Sequence, residues 1–169
     1  PEPSGLAISY DGKNFWSVGD SDSKVHKLDF DGHIIKSFIV IGEDLEGICV
    51  IDSITLAVVI ERTREVIIVD TSGKEIKRKS IDVTGRLNEG LEGICYGVNT
   101  KDFYFLNEKH PGLLIKTDSS FKEIFRKDLK LAKDYSDIFF SSDDNTLWIL
   151  SDESKKIIQT ELNGNWIKE

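Results

Sequence analysis

The chain contains a fourfold internal repeat, and this feature constrains its fold more than any other. The phrase Leu45-Glu46-Gly47-Ile48-Cys49 returns as Leu91-Glu92-Gly93-Ile94-Cys95. Ser4 and Ser136 take the position of Glu46 and Glu92, so successive repeats are 42, 46 and 44 residues apart. A period in the forties with strand-like content is typical of a β-propeller, in which each repeat forms one four-stranded sheet, or blade.

Each repeat contains four strand-like runs separated by turn residues. In the second repeat the runs cover 47–51, 56–60, 66–70 and 74–81. Asp31-Gly32 and Asn163-Gly164 predict tight hairpins between third and fourth strands. The fourth runs are rich in Lys and Arg, as expected of an outer edge strand that must avoid edge-to-edge pairing. The segment Lys127 to Lys133 is the best candidate for a single helical turn.

The sequence therefore predicts an all-β fold, a β-propeller built of four-stranded antiparallel blades. The alternatives are a sandwich or an unclosed stack of meanders. We place the blades at about 1–42, 43–88, 89–132 and 133–169, within a single domain or fragment. The chain begins with Pro on an innermost strand, contains no Met and stops within a fourth strand. We therefore expect four blades of a larger, five- or six-bladed propeller, whose open terminal blades would permit self-association.

Composition excludes several classes of partner. The formal net charge of −8 disfavours a nucleic-acid backbone and an anionic membrane surface. No apolar run is long enough to insert into a membrane. Cys49 and Cys95 take equivalent places in apolar strands, which predicts two buried free thiols. A disulfide between them is the geometrically demanding alternative, and a thiolate metal site lacks further cysteines.

Carboxylates gather at one predicted mouth of the propeller. Each repeat places an acid before its first strand, and the loop between second and third strands opens on the same side. Many converging carboxylates need a counter-charge, and oxygen ligands without His or Cys fit Ca²⁺ first and Mg²⁺ second. Alternatively these acids are solvated, or Glu46 and Glu92 accept backbone N–H bonds that lock blade to blade. The predicted metal ligands are Glu46, Glu92, Glu108, Asn107, Glu2 and Asp134.

The run Asn107-Glu108-Lys109-His110-Pro111 breaks the repeat pattern with a charged cluster closed by Pro. It is either a substrate or metal loop or a rigid surface loop. No Gly-x-Ser-x-Gly, Cys/His pair or phosphate-cradling glycine loop is present in the sequence. The residues predicted to contact a ligand at the same mouth are Asp20, Glu61, Lys109, His110, Asp137 and Asp152.

The ordered set of motifs resembles the SdiA-regulated (YjiK-like) proteins over the whole chain. The motifs are Glu2-Pro3-Ser4-Gly5-Leu6, the two Leu-Glu-Gly-Ile phrases, Asn107 to Pro111, Asp134-Tyr135-Ser136 and Ser151-Asp152-Glu153-Ser154. The resemblance implies a β-propeller of the bacterial cell envelope, periplasmic, membrane-anchored or secreted. It also implies a calcium site near Glu46, Glu92 and Glu108. Asp137 departs from the family's usual Gly, and a further repeat with an Ala-Glu-Gly phrase is missing.

These observations are compatible with three functions. The first is a binding module that holds a divalent cation and presents a surface to an unknown ligand or protein partner. The second is a metal-dependent hydrolase, like lactonases, esterases or phytase-like enzymes, with a carboxylate such as Glu108 as general base. The third is a purely structural repeat domain. We favour the binding module, because the sequence contains no convincing nucleophile, and whether the chain is an enzyme stays open.

Overall fold

The computed structural model describes residues 3–169, so Glu2 lies outside the described residues. The fold is all-β: four separate antiparallel sheets, each with four strands in sequence order, as the repeat predicts. Among the described residues no helix could cross a membrane, and Lys127 to Lys133 does not form the expected helical turn. Its beginning completes a strand that ends at Asp128, and bends follow. The chain divides into two compact units, Pro1–Asp82 and Val83–Glu169, each with two blades.

The first unit contains blades 1 and 2, and its core lies between them. Trp16, Val18 and Val25 of blade 1 are buried against Leu56 and Val58 of blade 2. The innermost strands approach so closely that a Cβ at Gly5 would overlap the backbone of Glu46 to Ile48. The strands are β1 (Pro3–Ile8), β2 (Phe15–Gly19), β3 (Lys24–Leu28), β4 (Ile34–Ile39), β5 (Leu45–Val50), β6 (Thr55–Ile60), β7 (Glu65–Asp70) and β8 (Glu75–Ser80).

The second unit contains blades 3 and 4 and repeats the same packing. Tyr104, Leu106 and Leu114 of blade 3 are buried with Leu147 and Ile149 of blade 4. The strands are β9 (Leu91–Gly97), β10 (Asp102–Asn107), β11 (Leu113–Thr117), β12 (Glu123–Asp128), β13 (Asp137–Ser141), β14 (Thr146–Ser151), β15 (Lys156–Glu161) and β16 (Trp166–Lys168).

The outer strands and the cysteines follow their predicted environments. The burial of β8 and β12 is mostly low, and their Lys, Arg and Glu side chains face solvent, which suits a charged edge strand. Cys49 and Cys95 are buried and form no disulfide. The prediction of two buried thiols is thus confirmed.

Candidate functional site

A β-bulge sets the direction of the repeated acid at the start of the innermost strand. In blade 2, Leu45 pairs with Ile60 and Ile48 pairs with Val58, so Glu46 and Gly47 together oppose a single residue of β6. The pairing of blade 3 shifts at the same place and leaves Glu92 as the extra residue. A bulge re-aims a side chain that strict alternation would fix on one face of the sheet. The repeated phrase Leu-Glu-Gly thus encodes a bulge that carries a carboxylate.

Three carboxylates meet in the first unit, and we call Asp44, Glu46 and Glu61 the acidic cluster. One oxygen from each lies within 4.8 Å of the others. The Glu61 N–H donates to the Asp44 carbonyl oxygen at 3.0 Å, which holds the loop after β6 against the start of β5. Asp44 has a left-handed backbone with φ of 67°, a conformation that Asp tolerates better than most residues.

Burial and mutual repulsion disfavour the charged form of Glu46 within the acidic cluster. Arg62 donates from Nε to Oδ2 of Asp44 at 2.6 Å, and its own side chain is exposed. Burial, with repulsion from Glu61, Asp44 and Asp20, raises the pKa of Glu46 to about 7, although a hydrogen bond with Ser4 opposes the rise. The protonated form of Glu46 therefore persists to a higher pH than in water.

Asp20 belongs to the surroundings of the acidic cluster. It follows β2, in the position that Glu61 takes after β6, and its charge contributes to the raised pKa of Glu46. Its Oδ1 atom is buried and has no hydrogen-bond partner among the described residues. A buried carboxylate oxygen without a donor is costly unless a cation or a proton satisfies it.

The corresponding acids of blade 3 have a counter-charge from the protein itself. Oxygens of Glu92 and Glu108 lie within 4.8 Å of one another, and the Glu108 N–H donates to the Gly90 carbonyl at 2.8 Å. The Lys109 ammonium contacts Glu108 Oε1 and Glu153 Oε1, each at 2.8 Å. Lys109 donates to both carboxylates, and these hydrogen bonds, first the one to Glu108 and then the one to Glu153, raise the pKa of Lys109 above its usual value. Lys109 thus occupies a position where it competes with an added cation.

Two buried polar side chains, Asn107 and Glu89, hold the loop from Asn107 to Pro111 in place. Asn107 donates from Nδ2 to the Pro111 carbonyl at 2.7 Å and to the Lys109 carbonyl at 3.3 Å, while its Oδ1 is buried and has no partner among residues 3–169. His110 Nδ1 lies 2.9 Å from Oε2 of the buried Glu89, which also binds Arg86. Asn107 therefore organises the loop, and His110 is oriented by Glu89.

The carboxylate of Asp134 forms its hydrogen bonds within blade 4. Asp134 is buried and accepts hydrogen bonds from Ser151, from Ser136 at 3.1 Å and from the Glu153 N–H at 3.1 Å. Burial alone would raise the pKa of Asp134, but these donors, Ser151 first, outweigh it and lower the pKa. The carboxylate of Asp134 is thus occupied in linking the start of β13 to the loop after β14.

Asp137 and Asp152 differ sharply in their environments. Burial raises the pKa of Asp137 to about 6, against the effect of a hydrogen bond from the Ile138 N–H at 2.8 Å. Asp152 is exposed and pairs with Lys155 at 2.7 Å. Among the predicted ligand-contacting residues, Asp137 is therefore a half-buried group with a raised pKa, and Asp152 is a solvated one.

A second group of potential metal ligands, Asp29, Asp31 and His33, lies close together because these residues form a turn. Oxygen or nitrogen atoms of Asp29, Asp31 and His33 lie within 4.8 Å of one another at the β3–β4 turn. Asp29 Oδ1 accepts the N–H groups of Asp31 and His33, which lower its pKa, and Asp70 and Asp118 cap the equivalent turns in the same way. This group is an Asx turn that recurs at the β7–β8 and β11–β12 turns.

Sequence analysis missed Asp44, Arg62 and Glu89. The repeat indicates two of them, Asp44 and Glu89, because both lie just before the repeated Leu-Glu-Gly phrase. Glu43-Asp44-Leu45-Glu46 aligns with Glu89-Gly90-Leu91-Glu92, so both middle repeats have extra acids before the shared phrase. The sequence analysis assigns only one carboxylate to the entrance of each first strand and therefore does not include these acids. The structure brings Glu46 to Glu61 and Glu92 to Glu108, and keeps Asp134 within blade 4.

Comparison with known proteins gives a family and a fold. The sequence model of the SdiA-regulated family matches residues 2–169. No curated protein sequence shows significant similarity to the chain.

Among solved structures, the chain is similar to a streptogramin B lyase at 19% identity and a TM-score of 0.69, covering 98% of this chain and 53% of that one. It is similar to a putative 6-phosphogluconolactonase from Bacteroides fragilis at 15% identity and a TM-score of 0.71, covering 99% and 53%. The β-propeller domain of Cps50 from Myceliophteria thermophila shares 14% identity and a TM-score of 0.64, covering 89% and 49%. The chain thus spans about half the length of these structures, and at such identities they show the β-propeller fold alone.

Proposed function

Because the chain belongs to the SdiA-regulated family, we propose that it is a β-propeller binding module that holds a divalent cation, Ca²⁺ before Mg²⁺, in the acidic cluster. One observation carries the proposal. Asp44, Glu46 and Glu61 bring three carboxylate oxygens within 4.8 Å of one another, at a place where the pKa of Glu46 rises to about 7. A cation would favour the charged form of Glu46, which burial and the neighbouring acids disfavour.

The donor set and its spacing suit a hard cation. Ca²⁺ binds oxygen at about 2.3–2.6 Å, so two ligands on opposite sides of the ion lie about 5 Å apart. The spacing in the acidic cluster falls within that limit. All three donors are carboxylate oxygens, which favour Ca²⁺ or Mg²⁺ over Zn²⁺, and Mg²⁺ demands stricter octahedral geometry. The buried Oδ1 of Asp20 is a fourth oxygen in the same electrostatic environment.

The two middle blades offer different opportunities for a cation. Lys109 contacts Glu108 at 2.8 Å in blade 3, whereas in blade 2 the pKa of Glu46 is raised to about 7 despite the contact between Arg62 and Asp44. We therefore assign the principal site to the acidic cluster and treat Glu92 and Glu108 as secondary ligands. Asn107 and Asp134 are committed to hydrogen bonds within their own blades and contribute to the framework.

Calorimetric titration and thermal melts with Ca²⁺ or EDTA test the proposal. We expect Ca²⁺ to raise the melting temperature of the parent, because a ligand that binds the native state stabilises it by mass action. Glu46→Gln should abolish that rise, since the amide keeps the shape of the side chain and removes its charge. Asp152→Asn is the matched control, because Asp152 is a solvated acid paired with Lys155.

Two outcomes would contradict the cation site. The first is no heat and no shift of the parent with either cation at millimolar concentration. The second is an equal Ca²⁺ response in the parent and in Glu46→Gln. A Mg²⁺ response larger than the Ca²⁺ response would keep the site and reverse the proposed order of the two ions.

A metal-dependent hydrolase is the second candidate, and the environment of Glu46 favours it. A carboxylate with a pKa of about 7 is suited to general-base catalysis at neutral pH. The lyase and lactonase names among the similar structures do not add support, because those likenesses show the fold alone. Lactones, phosphate esters and simple esters should be screened with Ca²⁺ and with EDTA. Cation-dependent turnover that disappears in both Glu46→Gln and Glu92→Gln would favour the enzyme.

The family resemblance extends the proposal to the bacterial cell envelope. Envelope compartments are generally richer in free Ca²⁺ than the cytosol, which would suit a site of moderate affinity. Fractionation of the native host, followed by immunodetection of the chain, tests the location. Recovery in the cytosolic fraction alone would overturn this part of the proposal and leave the cation site to be judged by calorimetry.

A further inference from the structure

A cavity lies between blades 1 and 2, on the side of the first unit opposite the acidic cluster. Asp44 and Glu46 of that cluster lie where β5 begins, whereas the cavity is bordered by Asp52 and Ser53, which follow the end of β5. The cavity has a volume of about 270 Å³, just below the range of about 300–1,000 Å³ that is usual for small-molecule sites. Its walls are two neighbouring blades of one compact unit, and its size suits a small ligand.

Two lysines of blade 1 face each other on neighbouring strands and line this cavity. Lys27 of β3 pairs directly with Lys36 of β4. Lys27 also pairs with Trp16 of β2, which is buried in the core between blades 1 and 2. Like charges directly opposite each other destabilise an antiparallel pair of strands. Within residues 3–169 neither lysine forms an ion pair, so their repulsion is not relieved by a carboxylate in contact with them.

Blade 3 has an acid where blade 1 has none. Lys27 and Lys116 are equivalent, because each pairs with the buried aromatic residue of the neighbouring second strand. Nζ of Lys116 lies 2.8 Å from Oδ2 of Asp102. Asn14 takes the position of Asp102 in blade 1, since each lies next to the Phe that precedes the buried aromatic residue. The ion pair of blade 3 therefore cannot form in blade 1.

Blade 3 also has an aromatic ring where blade 1 has the second lysine. Lys116 pairs with Phe125, which packs against the core of the second unit, whereas Lys27 pairs with Lys36. Compared with blade 3, blade 1 has thus lost one acid and gained one base. The two differences together place two ammonium groups beside the cavity.

Contacts with the protein position both ammonium groups. Lys36 donates from Nζ to the Thr71 carbonyl oxygen of blade 2 at 2.8 Å. The Lys27 ammonium lies 5.5 Å from the centre of the Trp16 ring, a cation–π contact. An ammonium group has three N–H donors, so Lys36 can still donate to a ligand. Charges that are already positioned reduce the entropy that binding must overcome.

The acids that line the cavity come from a different part of the blades. Asp11 lies in the β1–β2 turn and Asp52 in the β5–β6 turn, next to the innermost strands, whereas the lysines lie on the two outer strands of blade 1. Hydrogen bonds from Ser9 and Lys13, with a smaller effect of the Lys27 charge, lower the pKa of Asp11. Asp52 Oδ1 accepts an N–H of its own turn at 2.9 Å. The cavity therefore has an acidic inner end and a basic outer end.

We infer that this cavity binds the phosphate monoester of a small polyol. A phosphate monoester carries a charge of about −1.5 to −2 at neutral pH and three acceptor oxygens, which suits two ammonium groups that face each other. A carboxylate would bring a single negative charge. The hydroxyl groups of the polyol would donate to the carboxylates of Asp11 and Asp52 at the other end. The inference does not depend on the proposed cation site, because no residue of the acidic cluster lines the cavity.

Calorimetric titration with glycerol 1-phosphate, in a low-salt buffer freed of divalent cations, tests the inference. We expect the parent to bind this ligand at millimolar concentration. Lys27→Gln with Lys36→Gln should weaken binding at least about tenfold, because hydrogen bonds from two charged donors are lost. Lys122→Gln with Lys130→Gln is the matched control, since it removes the same charge from exposed positions of blade 3 and should bind like the parent.

Asn14→Asp tests the same site with both lysines present. This change gives blade 1 the acid that contacts Lys116 in blade 3. We expect the new carboxylate to pair with Lys27 and to weaken phosphate binding, an effect that a merely structural role of the lysines does not produce. Circular dichroism verifies that each variant folds. Lys27→Gln alone replaces the double variant if loss of the contact between Lys36 and Thr71 unfolds the chain.

Three results would overturn the inference. The first is no binding of glycerol 1-phosphate to the parent at millimolar concentration. The second is equal affinity of the parent and the folded lysine variant, which would mean that the ligand binds elsewhere on the chain. The third is equal affinity of the parent for inorganic phosphate and for glycerol 1-phosphate, which would mean that the hydroxyl groups make no contact and that the ligand is not a polyol phosphate.

Discussion

Replacing Glu46 with Gln should remove a loss of stability that occurs between about pH 5 and pH 7 in the absence of divalent cations. Burial and the charges of Glu61, Asp44 and Asp20 raise the pKa of Glu46 from 4.5 to about 7 in the folded chain. Between these values the native state binds more protons than the unfolded state, so stability falls as pH rises through this window. Above about pH 7 the loss is complete. The glutamine side chain of the variant cannot ionise and does not contribute to this loss.

The size of the effect follows from the shift in pKa. One pKa unit corresponds to about 1.4 kcal/mol, which gives an upper value of about 3 kcal/mol for Glu46. Because this side chain is only partly buried, solvent screening reduces the expected gain of Glu46→Gln at pH 8 to about 2 kcal/mol. For a chain of 169 residues that gain raises the melting temperature by roughly 4–8 °C.

Urea unfolding and thermal melts in EDTA, at half-unit steps from pH 5 to pH 8, measure this difference. The parent and variant should have similar stability near pH 5 and diverge towards pH 8. Asp152→Asn is the control for the removal of an exposed carboxylate. Parallel curves for the parent and Glu46→Gln across this range would refute the reasoning, because they would show that Glu46 ionises in the folded chain as easily as in water.

Three further expectations concern single groups. Ca²⁺ affinity, measured by calorimetry, should rise up to tenfold per pH unit from pH 5 to pH 7 and level off above, because binding must displace the Glu46 proton; a flat profile would contradict this. Asp137→Asn should stabilise the chain by about 1–2 kcal/mol at pH 8 and by little at pH 4, since burial raises the pKa of Asp137 to about 6. Urea titrations measure both values, and equal gains at the two pH values would argue against this reasoning. Asp134→Ala should cost about 2–4 kcal/mol in urea unfolding, because Ser136 and Ser151 lose a charged acceptor; a change below about 1 kcal/mol would mean that water replaces the carboxylate.

The architecture could be predicted because the repeat encodes it several times. Leu45 to Cys49 and Leu91 to Cys95 fix the period, and the hairpin turns divide each period into strands. The predicted outer strand 74–81 corresponds to Glu75–Ser80, one residue shorter at each end. The turn expected at Lys127 to Lys133 was wrong, because pairing of β12 with β11 as far as Asp128 overrides a weak local preference.

The candidate site was harder to predict because it depends on side-chain direction. A period of two places Glu46 on one face of a strand, but the bulge at Glu46 and Gly47 sends it towards Glu61. The link from His110 to Glu89 joins residues 21 positions apart, and no sequence spacing indicates it. Composition likewise does not indicate that Asp134 accepts hydrogen bonds from Ser151, Ser136 and the Glu153 N–H, whereas Asp137 accepts one from the Ile138 N–H.

Two identical phrases thus acquire different chemistry from the residues beside them. Glu46 and Glu92 lie on equivalent strands, β5 and β9, and each is part of a β-bulge. In both blades the loop after the second strand begins with Glu and a basic residue. In blade 3 that basic residue, Lys109, contacts Glu108 next to it, whereas in blade 2 Arg62 contacts Asp44, which replaces the Gly90 of blade 3. Asp44 thus takes the contact of Arg62, and burial with repulsion from Glu61, Asp44 and Asp20 raises the pKa of Glu46 against its hydrogen bond with Ser4. A cation-binding function would therefore arise in one blade from a Gly-to-Asp difference outside the repeated phrase, and exchanging Asp44 for Gly should move Arg62 towards Glu61 and lower the pKa of Glu46.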